Sequence, residues 1–158
     1  MIKLFGACAI LISALFISLE IKHSSEKRVL QCRELLRLIS YAEARLKCYL
    51  SPVCEWCVGF SSDVLSECGV IIDGKLATAE EIMRSRSLLL MPDERRVLCD
   101  FLSSVGCEYA EAELRRTAEL ESYFSGIVAE NEREVPRRVK CFAVILVAIS
   151  LGLVILII

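Results

Sequence analysis

The sequence predicts an all-α protein, a cytoplasmic bundle of about five helices flanked by two transmembrane helices. Three observations carry that expectation. The stretch from Cys141 to Ile158 holds eighteen residues without a charge, and at about 1.5 Å per residue it covers roughly 27 Å, close to the hydrocarbon thickness of a bilayer. A second apolar run, Leu4 to Leu19, stands at the other end of the chain. Between the two, apolar residues recur at every third or fourth position, which is the period of a helix, and no run of ordinary strand length alternates.

The second apolar stretch has Ser150 as its one conspicuous polar residue. A buried core helix would normally keep a polar face, whereas a helix in lipid satisfies its own backbone and needs none. In the first run Lys3 precedes the apolar residues, as in a secretory signal peptide, yet the run passes into Leu19-Glu20-Ile21-Lys22-His23 with no small-residue cleavage pair. An uncleaved span is therefore expected. Lys22, Lys27, Arg28 and Arg33 follow the first span, and Arg133, Arg137, Arg138 and Lys140 precede the second. Both clusters put the middle of the chain in the cytoplasm and both termini on the opposite side. The expected organisation is a transmembrane helix over residues 1–21, a cytoplasmic helical domain over 22–138 and a transmembrane helix over 139–158. Ala9 with Ser13, and Ala148 with Gly152, place small residues one turn apart in each span, as helix contacts in lipid often do.

Within the domain, Ser24 to Leu50 has Leu35, Leu38, Ile39, Ala42, Leu46, Tyr49 and Leu50 on one arc, with Ser24 or Ser25 available to cap its start and Pro52 marking its end. Pro52 to Cys68 reads as a second helix carrying Val53, Trp56, Cys57, Phe60, Val64 and Leu65, closed by Gly69. Val70 to Leu76 contains Asp73-Gly74, a hairpin-turn pair, but its flanks are too short for a sheet and a loop is expected. Thr78 and Glu81 have the spacing of a capping box opening a helix through about Leu88. Pro92-Asp93-Glu94 opens another, ending near Gly106, with Val97, Leu98, Phe101 and Leu102 inward. A last helix runs from about Glu108 to Val135, with Tyr109, Leu114, Ala118, Leu120, Phe124, Ile127 and Val128 inward and Pro136 interrupting or kinking it.

The chemistry available to such a chain is limited. Its one histidine, His23, sits at the expected membrane exit. The sequence has no glycine-rich phosphate loop, nucleophile elbow or histidine-carboxylate metal motif, so no catalytic, cofactor-binding or metal-ligating residue is assigned and no small-molecule substrate is expected. A net charge of −2 without a strongly basic surface gives no case for nucleic acid. Nine cysteines is an odd count, and in a reducing compartment they are read as thiols. Cys54-Glu55-Trp56-Cys57, with Cys48 and Cys68 nearby, leaves open a membrane-tethered thiol or zinc sensor as the alternative to helix packing. One zinc per chain, released by thiol modification, would mark that alternative.

The candidate functional face is a basic stripe. Arg33, Arg37, Ser40, Ala44 and Lys47 are spaced by four, three, four and three residues, which puts them on the side of the first helix away from its apolar arc. Such a row is either a solvated face or a docking strip for an acidic partner. Charge runs as a gradient along the domain, with seven bases and three acids from Lys22 to Lys47 and eight acids and three bases from Glu108 to Glu134.

Arg33-Glu34-Leu35-Leu36, Leu38-Ile39, Glu43, Leu46 and Ser51-Pro52-Val53 together resemble the conserved pattern of the stage III sporulation AB protein family of endospore-forming bacteria, and Val105-Gly106 is similar to the Leu-Gly ending its fourth helix. Arg45 departs from the pattern, which has a second glutamate there. The resemblance implies a non-enzymatic membrane component of the channel between mother cell and forespore, in the mother-cell membrane around the forespore. It also implies a helical domain similar to the inner-membrane platform proteins of type II secretion and type IV pilus machines. Its implied partners are the other stage III sporulation channel proteins, including a cytoplasmic ATPase.

Overall fold

The computed structural model describes residues 2–49, 59–104 and 110–157. The chain is all-α apart from one minimal hairpin: α1 (Ile2–Tyr49), α2 (Asp63–Glu67), β1 (Ile71–Ile72), β2 (Lys75–Leu76), α3 (Ala79–Arg84), α4 (Pro92–Ser104) and α5 (Ala110–Ile157). It divides into two compact units, Arg28–Ala129 and the pair of terminal segments Met1–Lys27 and Glu130–Ile158.

In Arg28–Ala129 the predicted arc of α1 is the core face: Leu35, Leu38, Ile39, Ala42 and Leu46 are all buried, and Cys32 extends the arc one turn back. Leu98 of α4 and Leu120, Phe124 and Val128 of α5 share one apolar cluster with them, and Phe101, Leu102, Val97 and Ile127 pack against its edge. Thr117, not Ala118, completes the inner row of α5. Its hydroxyl donates to the Glu113 carbonyl at 2.8 Å, so the polar atom is satisfied within the helix and its methyl can be buried, while Ala118 faces solvent.

The short elements between are held by specific caps. Ser62 caps α2, and α2 ends in a Schellman motif, with Val70 N–H on the Leu65 carbonyl at 2.9 Å and Gly69 N–H on that of Ser66 at 3.1 Å. Gly69 takes φ +73°, as that closure requires. The expected helix over residues 52–68 is thus confined, among the described residues, to Asp63–Glu67, because Gly59, at φ +84°, and the extended Ser62 are not helical. Residues 50–58, with Trp56 and the Cys54/Cys57 pair, lie outside the described residues, as do Gly106 and Tyr109.

Asp73-Gly74 closes a real hairpin and not a loop. Ile71 pairs with Leu76 and Ile72 with Lys75, and both turn residues have positive φ, 51° and 72°, the backbone that suits a two-residue turn. The strands hold because Val70, Ile71 and Ala77 are buried and Ala77 N–H adds a bond to the Val70 carbonyl at 2.8 Å. The capping box at Thr78 and Glu81 forms as expected. Its helix stops at Arg84, four residues early, because Arg95 of α4 bonds the carbonyls of Met83, Ser85 and Leu88 and holds the following segment extended, with Leu88 and Leu90 buried.

Two boundaries of the long helices differ from expectation. Ser25 does not start a new helix; its hydroxyl bonds back to the Ile21 carbonyl at 2.8 Å, and α1 runs unbroken from Ile2 to Tyr49. Pro136 does not interrupt α5, which continues through it to Ile157. Proline withholds one N–H, but the surrounding turns keep their own bonds, and the long apolar run beyond Lys140 holds no second breaker. Among the described residues no helix is long and apolar enough to cross a membrane.

In the unit of terminal segments, large apolar side chains face outward. Leu15, Phe16 and Leu19 on α1, and Phe142, Val144, Val147, Ile149, Leu151 and Ile155 on α5, are each half exposed or more. Ser150 is buried and donates to the Leu146 carbonyl, so that even this hydroxyl is satisfied inside the helix.

Candidate docking face

Burial of the α1 arc dictates where the basic stripe points. Arg33, Arg37, Ala44 and Lys47 are exposed, and Ser40 is half-buried. The structure does not leave the stripe as a bare row of positive charge. Arg37 Nη1 lies 3.5 Å from Glu34 Oε2, one turn back, and its guanidinium sits 5.4 Å from the centre of the Phe60 ring. Lys47 Nζ lies 2.8 Å from Glu43 Oε1, a contact that lowers the Glu43 carboxyl below its usual range and raises the lysine above its own. Ser40 donates its hydroxyl to Glu121 of α5, so this small residue meets a helix of its own chain.

The face therefore has a built lower edge and an open upper one. Ser40, Glu43 and Glu121 pin α1 to α5, while Arg33, Arg37, Ala44 and Lys47 stand above that seam. Arg37 and Lys47 keep side-chain exposures of 65% and 55% despite their ion pairs, so their charges remain available to a partner. An exposed pair of this kind contributes only about 0.3–0.5 kcal/mol, and a better-placed partner carboxylate can displace it.

Beneath this face lies a polar anchor that the sequence reading missed. Glu94 of α4 is buried and accepts from Arg28 Nη2 at 2.7 Å and from Met91 N–H at 2.7 Å. One turn along α1, the Gln31 amide donates to the Ser87 carbonyl at 2.9 Å and accepts from Leu89 N–H at 2.7 Å. Two side chains of α1 thus fix both the start of α4 and the extended segment before it. The Pro92-Asp93-Glu94 start signalled the cap; nothing local signalled that an arginine 66 residues away would share its carboxylate.

Cys32 lies between those anchors with no exposed surface. Burial first, and then the Glu94 carboxylate, push its thiol up to about 11. Burial likewise pushes the Cys68 and Cys99 thiols up, so these three are poor nucleophiles at neutral pH. A pKa raised in the folded state means stability fully present below about pH 9 and lost as pH climbs towards 11. Over that window the whole protein in detergent should lose roughly 2–3 kcal/mol more than a Cys32→Ala variant. Parallel denaturation curves for the two proteins would contradict the buried thiol. Among the described residues no group of histidine, cysteine and acidic side chains could hold a metal ion.

α4 and α5 also border an open groove of about 390 Å³, with Phe101 and Leu120 in its lining and Asp100, Glu119 and Arg116 among its polar groups. Both signs of charge are present, so it selects no partner by charge.

Comparison with known families agrees with the layout of these helices. A family model described as stage III sporulation protein AB matches residues 3–158. The chain belongs to that family. Its role is therefore in sporulation, and the family is not a known enzyme family. No curated protein and no solved structure matches the chain.

Proposed function

We propose that this stage III sporulation AB family member is a non-enzymatic membrane platform of the channel between mother cell and forespore. Its terminal segments cross the mother-cell membrane, and its folded unit organises assembly beside a cytoplasmic ATPase. The observation that carries the reading is the outward-facing apolar surface of the terminal segments, where Phe16, Val144 and Ile155 are each about two-thirds exposed or more. Patches of that size are covered in the working protein, and on two long helices the natural cover is lipid. The uncharged sequence continues through Ile158, and at its full length it matches the bilayer core.

A platform must present a face fixed relative to the membrane. α1 and α5 each run without a break from a terminal segment into the folded unit, so a partner held on α1 is held at a set height. Arg33, Arg37, Ala44 and Lys47 form the docking strip, and Ser40 belongs to the seam beneath it. An acidic surface on the ATPase or on another stage III channel protein suits the strip. Proximity crosslinking from an exposed strip position, Ala44, in sporulating cells tests the reading. The expected adducts are the ATPase and other stage III channel proteins; adducts confined to unrelated cytoplasmic proteins would contradict it.

A further inference from the structure

One exposed face of α5 changes character within a single turn. Arg133, Arg137 and Lys140 are followed on the same helical row by Val144, Leu151 and Ile155, with spacings of four, three, four, seven and four residues, and all six side chains are exposed. Lys140 and Val144 are separated by about 6 Å along the axis, which the lysine's own four-carbon stem can bridge. Glu134 is the last acid of the chain. It is held by Arg138 at 2.6 Å, so the turn bordering the apolar surface carries uncompensated positive charge from Arg137 and Lys140. The corresponding turn of α1 differs: Glu20 lies within it, and Lys22 approaches Glu26 at 3.8 Å.

We infer that this basic turn of α5 is a recognition site for anionic phospholipid headgroups. The inference rests on the membrane reading above and goes beyond it, because crossing a bilayer requires no choice among lipids. With Val144 and Leu151 in the hydrocarbon, Arg133, Arg137 and Lys140 lie at the depth of the phosphates, on one side of the helix. There a single headgroup can meet two guanidinium groups and an ammonium. An aliphatic surface joined to a cluster of bases complements an anionic amphiphile in both halves. Each base near such a surface strengthens anionic over zwitterionic binding about fivefold, so that three give roughly a hundredfold, falling with salt.

The test uses the full chain in a non-ionic detergent, mixed with equal phosphatidylglycerol and phosphatidylcholine, with retained lipid counted by native mass spectrometry. The unaltered protein should retain phosphatidylglycerol in large excess. A R133Q/R137Q/K140Q variant of unchanged helical content should lose nearly all of that preference. A R84Q/R115Q variant, which removes exposed bases from the other unit, should keep it. Equal retention of the two lipids by the unaltered protein overturns the site, and so does an equal loss of preference in both variants, which would reduce the effect to net charge. Alkaline carbonate washing of vesicles that carry the protein separates the two levels of failure. Protein that resists washing but shows no lipid preference defeats the headgroup site alone; protein that washes off defeats the membrane reading and the site with it.

Discussion

Glu94→Ala should destabilise the protein by about 3 kcal/mol. The carboxylate is buried and serves two partners, the Arg28 guanidinium and the Met91 N–H, each at 2.7 Å. Truncation leaves a partly buried cation unpaired and removes the cap of α4. Breaking a fully buried pair costs about 3–5 kcal/mol, but the Arg28 side chain is 22% exposed and recovers some hydration. Loss of the cap adds about 1 kcal/mol. Thermal melts of the full chain in detergent should fall by roughly 6–12 °C. Glu94→Gln keeps an acceptor for Met91 and a polar group for Arg28, so its drop should be less than half as large. A Glu94→Ala melt within 2 °C of the unaltered protein would show that the anchor is not made.

Reversing Arg33 and Arg37 to glutamate should separate docking from folding. In the isolated chain Arg37 loses its pairing with Glu34 and its place over Phe60, contacts whose combined loss is about 1 kcal/mol. At a complementary interface the same reversal sets like charges together and costs several kcal/mol. Membrane recruitment of the ATPase should therefore weaken roughly a hundredfold, while the melting temperature moves by only a few degrees. Spore yield should fall with recruitment. Normal recruitment and sporulation by the folded double variant would reduce the strip to a solvated face.

Local chemistry made much of this fold legible. The α1 arc, the Thr78–Glu81 box, the Pro92 start and the Gly69 stop each depend on residues within one or two turns, and the structure places them as read. Where the reading departed, a distant or compensating bond had won. Arg95 reaches back from α4 to end α3. Ser25 satisfies itself inside α1 and so marks no boundary. The hairpin at Asp73-Gly74 survives with two-residue strands because its neighbours enter the core, which no count of strand length reveals.

The docking stripe was legible as a row but not in its depth. Helical spacing alone places Ser40 beside Arg37 and Ala44; only the approach of α5 shows that its hydroxyl is engaged by Glu121. The Arg28–Glu94 anchor joins residues 66 apart, and neither side chain announces the other in sequence. Both misses are tertiary polar contacts, and apolar periodicity carries no information about them.

Transmembrane topology is the most direct test of the platform reading. The Asp73-Gly74 turn is exposed, and the space around Gly74 is open, so a reporter enzyme active only after export can be inserted there. A second fusion carries the same reporter after Ile158. With the folded unit in the cytoplasm and both termini outside, the reporter should be silent in the turn and active at the terminus. Activity in the turn, or silence at both positions with full-length protein present, would contradict a cytoplasmic platform held by two spans.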